Sequence, residues 1–161
     1  VSASTEVEYA YELRVEIEPT DVGVLIDALE DEPFALRDLL GEEELVRRIR
    51  SRELVVEARS PERWEAFERD LEVLSIYLSQ YIVGREVVLR PTRGAPIVKG
   101  WKVVARRGEV VRLDLDLLWD PRTEQILDHG EDLAAITERW HELPEWLRSA
   151  LRVMHPRLRA L

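Results

Sequence analysis

Residues 6–18 alternate without a break. Val7, Tyr9, Tyr11, Leu13, Val15 and Ile17 fall on one side, and the charged residues Glu6, Glu8, Glu12, Arg14, Glu16 and Glu18 on the other. A period of two sustained over this length predicts a long half-buried strand. Pro19 ends it, and Thr20 or Asp21 is the expected N-cap of a helix with Val22, Leu25, Ile26 and Leu29 at helical spacing. Pro33 breaks that helix. Two short helical pieces are expected at 34–40 and 42–49, separated by Gly41, and 52–59 reads as a second strand. Ser60-Pro61 has the form of a helix start, with Ser as N-cap and Pro at the first helical position. The pattern predicts one long helix from there to about Ile82, with Gly84 at its C′ position.

The second half changes character. Segments 86–90 and 101–106 read as strands around the turn Pro91-Thr92-Arg93-Gly94-Ala95-Pro96. Gly108 then turns the chain into a third strand, 109–118, where Val111, Leu113, Leu115 and Leu117 alternate with Arg112, Asp114 and Asp116. Asp120-Pro121 is a predicted turn, followed by helical pieces at 124–128, 132–141 and 145–154, with Pro144 separating the last two. The expected fold class is α+β: a mixed or antiparallel sheet with one long helix and several short helices on one face. The 161 residues fit a single domain. The alternative is a two-lobe split near Gly84, with a β-α-β-α lobe over 1–84 and a β-meander plus C-terminal helices over 85–161.

Composition adds a thermal expectation. The chain has no Cys, no Asn, one Met (Met154) and two Gln (Gln80 and Gln125), and 35% of its residues are charged. Joint depletion of the thermolabile residues together with dense charge is the signature of a heat-adapted protein. Without Cys, disulfides and thiolate chemistry are excluded. No apolar run approaches the ~20 residues a membrane-spanning helix needs. Val1 to Ala10 lacks a basic region followed by an apolar one, so no signal segment is expected there and the expected location is cytoplasmic.

Charge is segregated. Residues 1–46 hold fourteen acids against two cations, whereas 85–108 hold Arg85, Arg90, Arg93, Lys99, Lys102, Arg106 and Arg107 against Glu86 alone. A basic strand region containing Trp101 suits an anion, and cations with an exposed aromatic suit single-stranded nucleic acid. The competing reading has this island neutralise the acidic face of residues 6–18, within the chain or across a partner. The net charge of −10 opposes long-range attraction to a polyanion.

Within the predicted 61–82 helix, Trp64, Phe67, Leu71, Leu74, Leu78 and Tyr81 follow the alternating three- and four-residue spacing of a helix-pairing seam. The seam is a candidate interface for a homodimer or partner, or else a face buried against the C-terminal helices. Asp114-Leu115-Asp116 puts two carboxylates on one strand face, the kind of pair that two-metal phosphoryl-transfer sites use, with Asp120 or Glu131 as a third acid. His129, His141 and His155 lack ligand spacing, and His141-Glu142-Leu143-Pro144-Glu145 lacks the second His of a zincin helix. No cofactor motif is present.

Two family resemblances fall short of an assignment. Glu6-Val7-Glu8 resembles the E-x-E-x-K opening of triphosphate tunnel enzymes, but position 10 is Ala where that motif has Lys. Residues 9–83 resemble, in element order alone, the small dimerising subunit of the KEOPS tRNA-modifying complex. The leading expectation is a non-catalytic binding protein, a subunit or adaptor in an intracellular complex of a thermophile, with a protein partner or homodimer. The alternatives are a nucleic-acid-binding module using 85–108 and a metal-dependent phosphoryl-transfer enzyme at Asp114/Asp116. The composition predicts a melting midpoint above the ~45–65 °C of mesophilic domains. A reversible calorimetric melt near 55 °C in dilute buffer would refute the heat-adaptation reading.

Overall fold

The computed structural model describes residues 6–161. Val1–Thr5, part of the stretch read above for a signal segment, lie outside the described residues. The elements are β1 (Glu8–Glu16), α1 (Pro19–Asp31), α2 (Ala35–Leu40), α3 (Glu42–Arg50), β2 (Glu53–Ser60), α4 (Ala66–Tyr77), β3 (Ile82–Arg90), β4 (Ile97–Arg106), β5 (Glu109–Asp120), β6 (Gln125–Glu131), α5 (Leu133–Glu138) and α6 (Glu145–Met154). Short 3-10 turns occupy Trp140–Glu142 and Pro156–Ala160. The six strands form one curled, half-barrel sheet in the order β2-β1-β3-β4-β5-β6, antiparallel throughout. Gly84 lies inside β3, which pairs with both β1 and β4, so the sheet runs through this position without interruption.

The helices cover both faces of the sheet, not one. Successive strand residues point to opposite sides. Val103 belongs to a core with Leu13, Val15, Leu54, Ile82 and the inward residues of α1–α4. Its neighbour Val104 belongs to a second core, with Val111, Leu113, Ile136, Trp140, Leu147 and Leu151 under α5 and α6. The expectation of helices on one face fails because the β4–β5 end is apolar on both sides.

The alternation of residues 6–18 is realised as β1, with Tyr11, Leu13, Val15 and Ile17 buried. At the start of α1, Glu18 is the N-cap residue and Pro19 occupies the first turn. Asp21 does not cap this helix; its carboxylate instead accepts from the Ser79 amide at 3.0 Å and the Ser79 hydroxyl at 2.7 Å.

The predicted 61–82 helix is shortened at both ends. Ser60 remains in β2 opposite Tyr9, and the Trp64 amide donates to the Tyr11 hydroxyl at 2.8 Å, which holds 61–65 outside the helix. At the other end Leu78 is extended, and Ile82, Val83 and Gly84 join the ladder of β3. Two β-branched residues beside two strands offering backbone partners favour pairing over a further helical turn. Gly84 is therefore not a helix terminus. A Cβ built there would lie 2.7 Å from Phe67 Cζ and 2.8 Å from Leu71 Cδ1, so α4 rests directly on the β3 backbone.

Asp70 of α4 is buried, and its two carboxylate oxygens accept from the Ala35 and Leu36 amides at 3.0 and 2.9 Å. It caps α2 from another element. Burial pushes its carboxyl up from the ordinary value, against those two hydrogen bonds. At the C-terminal end, the Ser75 carbonyl accepts from the Arg107 amide at 3.2 Å and the Ser75 hydroxyl from the Gly108 amide at 2.9 Å.

The predicted helix at 124–128 is instead strand β6, and the three-stranded meander has a fourth strand. Asp120 closes the β5–β6 turn by accepting from the Arg122 amide and the Thr123 hydroxyl. Trp119 and Leu118 then pair with Ile126 and Leu127. His129-Gly130 is a bulge: Leu115 and Leu117 face Glu131 and Asp128, leaving two β6 residues opposite one, with Gly130 at φ 83°.

Replacing Gly84 by Ala should destabilise the protein by about 1–3 kcal/mol, the cost of forcing α4 outward. Strand propensity alone predicts the opposite sign. Urea unfolding of Gly84→Ala beside wild type distinguishes the two.

Candidate functional site

The curl of the sheet leaves a groove on the face opposite α1–α4. Its floor is β1, β2 and β3, and its far wall is β6. One part, of about 570 Å³, is lined by Ala10, Glu12, Glu57, Arg59, Arg85, Val87, Ile126 and Asp128. An adjoining part of about 400 Å³ shares Glu12, Arg85 and Asp128 and adds Arg14, Val83, Lys102, Leu115 and Glu131.

Two features of β5 build this shape. It pairs with β4 only as far as Asp114 opposite Trp101, and from Leu115 onward with β6. Gly100 lies under the departing strand, where an added Cβ would collide with Leu117 Cδ1. The β5–β6 hairpin thus becomes an arm beside the sheet floor. Two ion pairs hold it there: Arg85 Nη2 to Asp128 at 2.7 Å and Lys102 Nζ to Glu131 at 2.6 Å, with His155 Nε2 3.2 Å from the other Glu131 oxygen. Burial works against the Glu131 charge, but the Lys102 ammonium and the neighbouring His155 outweigh it, so the carboxyl titrates below its ordinary range.

The remaining groove charges are less well matched. Glu8 reaches Arg59 at 3.3 Å, and Arg14 lies 4.0 Å from Glu53. Glu12 and Glu57 stand directly opposite each other on β1 and β2, and neither is in an ion pair among the described residues. Arg85 is the cross-strand neighbour of Glu12 on β3, but its guanidinium is taken by Asp128.

The basic island is divided by the fold. Arg85 and Lys102 line the groove. By strand alternation Lys99 and Trp101 lie on the opposite face, as does Arg90 two residues beyond buried Val88. Arg93 is in the β3–β4 turn, whereas Arg106 and Arg107 lie at the other end of β4, about 30 Å away at ~3.4 Å per residue. Trp101 is half-buried against the main core, with the Arg112 guanidinium 4.9 Å from its ring centroid. The island's single acid, Glu86, is only 3% exposed and lies 2.9 Å from Arg112, which also holds Glu68 at 2.8 Å. Within the chain, and among the described residues, the island forms no ion pair with the acidic β1 face, since Arg85 and Lys102 turn to β6.

The proposed seam lies within the chain's own core. Phe67, Leu71, Leu74 and Leu78 are buried there, Trp64 packs at its edge against Tyr11 and Phe67, and Tyr81 is 40% exposed. Neither candidate third acid is free to join Asp114 and Asp116: Asp120 is engaged in the β5–β6 turn, and Glu131 is held by Lys102. Among the described residues no group of three or more His, Asp or Glu side chains is placed to hold a metal ion. Among the described residues no helix is long and apolar enough to cross a membrane.

Sequence reasoning missed Glu57 and Asp128 as site residues, and it named Glu131 only as a third acid for Asp114/Asp116. Glu12 was visible as part of the polar β1 face, but reading 124–128 as helix hid the wall that faces it. No family model, curated protein or solved structure matches the chain.

Lys102→Met should cost about 2 kcal/mol at neutral pH, because it leaves the mostly buried Glu131 without its strongest partner. A carboxyl with a depressed folded pKa contributes stability above its unfolded value of about 4.5, and this is lost as pH falls through the folded value. The deficit of the variant should therefore be full above pH ~4.5 and shrink below it. Urea midpoints from pH 3 to pH 7 measure this.

Proposed function

We propose that this protein is a non-catalytic binding protein, a subunit or adaptor, that seats an extended polypeptide segment of a partner in the groove between the β1–β3 floor and the β5–β6 arm. The observation that carries this reading is the Glu12–Glu57 pair. Two carboxylates directly opposite on neighbouring strands repel, by about 0.2–1 kcal/mol. Here they lie on the floor of an open groove, and among the described residues neither is in an ion pair. A lysine or arginine side chain from a partner would relieve that repulsion. The surroundings are apolar at Ala10, Val83 and Val87 of the floor and Ile126 of the wall, which suits the stem of such a side chain. The near balance of cations and acids along the walls favours a mixed-charge polypeptide over a polyanion.

The nucleic-acid reading of 85–108 as one surface has less support, since its cations are distributed over two faces and both ends of β4. The phosphoryl-transfer reading at Asp114/Asp116 also has less support, since among the described residues no three acids are placed to hold a metal ion.

The reading predicts opposite effects of one substitution. Glu57→Gln should raise stability slightly, by up to about 1 kcal/mol, by removing the like-charge pair. It should also weaken binding of an extended lysine- and arginine-containing peptide titrated into the protein at low salt. Isothermal titration and thermal melts on the same samples read both effects. A peptide that binds wild type and Glu57→Gln equally, or neither, refutes the seat.

A further inference from the structure

A second surface lies at the other end of β4, and we infer that it is a binding site for a nucleotide. Arg106 ends β4, and Arg107 begins the Arg107-Gly108 turn, with φ of 49° and 84° at its two residues. Positive φ at both positions is the geometry of a tight hairpin turn matched to strand twist. Ser75 holds both turn amides, so the two arginines project from a fixed base. Among the described residues neither guanidinium has a hydrogen-bond or ion-pair partner. Arg85 and Arg112 in the same sheet both do.

The two arginines line a recess of about 260 Å³ together with Glu109 and Trp146. Trp146 comes from α6, and its indole N–H donates to Glu109 Oε1 at 2.7 Å, which fixes the ring and occupies one oxygen of the acid nearest the arginines. The indole stacks on Tyr81, centroids 6.2 Å apart and planes 28° from parallel. Tyr81 in turn lines a second recess of about 260 Å³ with Arg14, Glu16 and Gln80. The other acid close to Trp146 in sequence, Glu145, is held by Arg148 and Arg152. An aromatic stack, with two free guanidinium groups on one side and a loosely held third on the other, has the chemistry for a planar ring carrying a phosphate. The base extends the Tyr81–Trp146 stack, and Arg106 and Arg107 take the phosphate with charge-assisted hydrogen bonds. A carboxylate peptide would use the arginines but leave the aromatic pair without a role.

This site differs from the basic-island reading. It excludes Arg90, Arg93, Lys99 and Trp101 and depends on Trp146, 40 residues beyond Arg106. It borders the peptide groove at Arg14 but does not include the Glu12–Glu57 seat.

The test follows the Trp146 indole N–H resonance, assigned with Trp146→Phe, during titration at low salt with adenosine monophosphate and, separately, with a six-nucleotide single-stranded oligonucleotide. The expected result is a saturable shift. It should weaken about tenfold in Arg106→Gln/Arg107→Asn, where Asn suits the left-handed turn position, with unchanged circular dichroism. Saturation by the mononucleotide marks a site for a free nucleotide, and saturation by the oligonucleotide alone marks a unit of a single strand, with affinity falling steeply as salt rises. Glu57→Gln should bind as wild type, which separates this site from the groove. No shift with either probe, or a shift undiminished in the double variant, overturns the inference.

Discussion

Phe67 and Leu71 of α4 lie on the bare backbone of Gly84, and most of the fold is arranged around that contact. It sets the height of α4 above β3, and β3 is the strand through which β1 and β4 are joined. From this position α4 reaches its surroundings with four different groups. Asp70 caps α2, Ser75 holds the β4–β5 turn, Glu68 pairs with Arg112 of β5, and just before the helix Trp64 donates to Tyr11 of β1. Each of these is a directional hydrogen bond or ion pair that tolerates little displacement. A helix standing off by the thickness of one methyl group would strain them together.

The other face of the sheet is shaped by a second close approach. Gly100 admits Leu117 where β5 leaves β4, and Gly130 permits the bulge that turns β6. Two cations from the floor then fix two carboxylates on the arm. Lys102–Glu131 is the more enclosed pair, and the Glu131 pKa is depressed in spite of burial. Arg85–Asp128 is more exposed, so solvent weakens it. Because these cations serve the arm, the acidic face of β1 keeps its surplus charge, and Glu12 and Glu57 face each other uncompensated. The charge left over on the groove follows from the architecture of the arm.

The same separation accounts for the behaviour of the arginines. Arg85 and Arg112, in the middle of the sheet, are committed to Asp128, Glu86 and Glu68. Those at the β4–β5 turn lie beyond the reach of these acids and next to an aromatic pair contributed by the start of β3 and by α6. Arg14 borders both regions, lining the groove on one side and the Tyr81 recess on the other.

Local pattern alone determined much of this protein. The alternation of residues 6–18 gives β1 and its buried face, Pro33 and Gly41 divide the first helices, and Pro144 sets off α6. These features rest on steric and periodic rules that act over a few residues, so they are legible in one dimension. Tertiary structure decided what depends on distant partners. The seam from Trp64 to Tyr81 has helical spacing, yet only Ala66–Tyr77 is helical, because the Tyr11 hydroxyl claims one flank and the β3 ladder the other. Residues 125–131 are too short and too mixed to declare themselves a strand until Trp119 and Leu118 lie opposite them. The seven cations of 85–108 look like one surface in sequence, but strand alternation sends them to two faces and 30 Å of β4 separates their ends. Glu12 with Glu57, and Trp146 with Arg106, lie 45 and 40 residues apart in the chain. Nothing in local sequence encodes such proximity; strand register and helix docking create it.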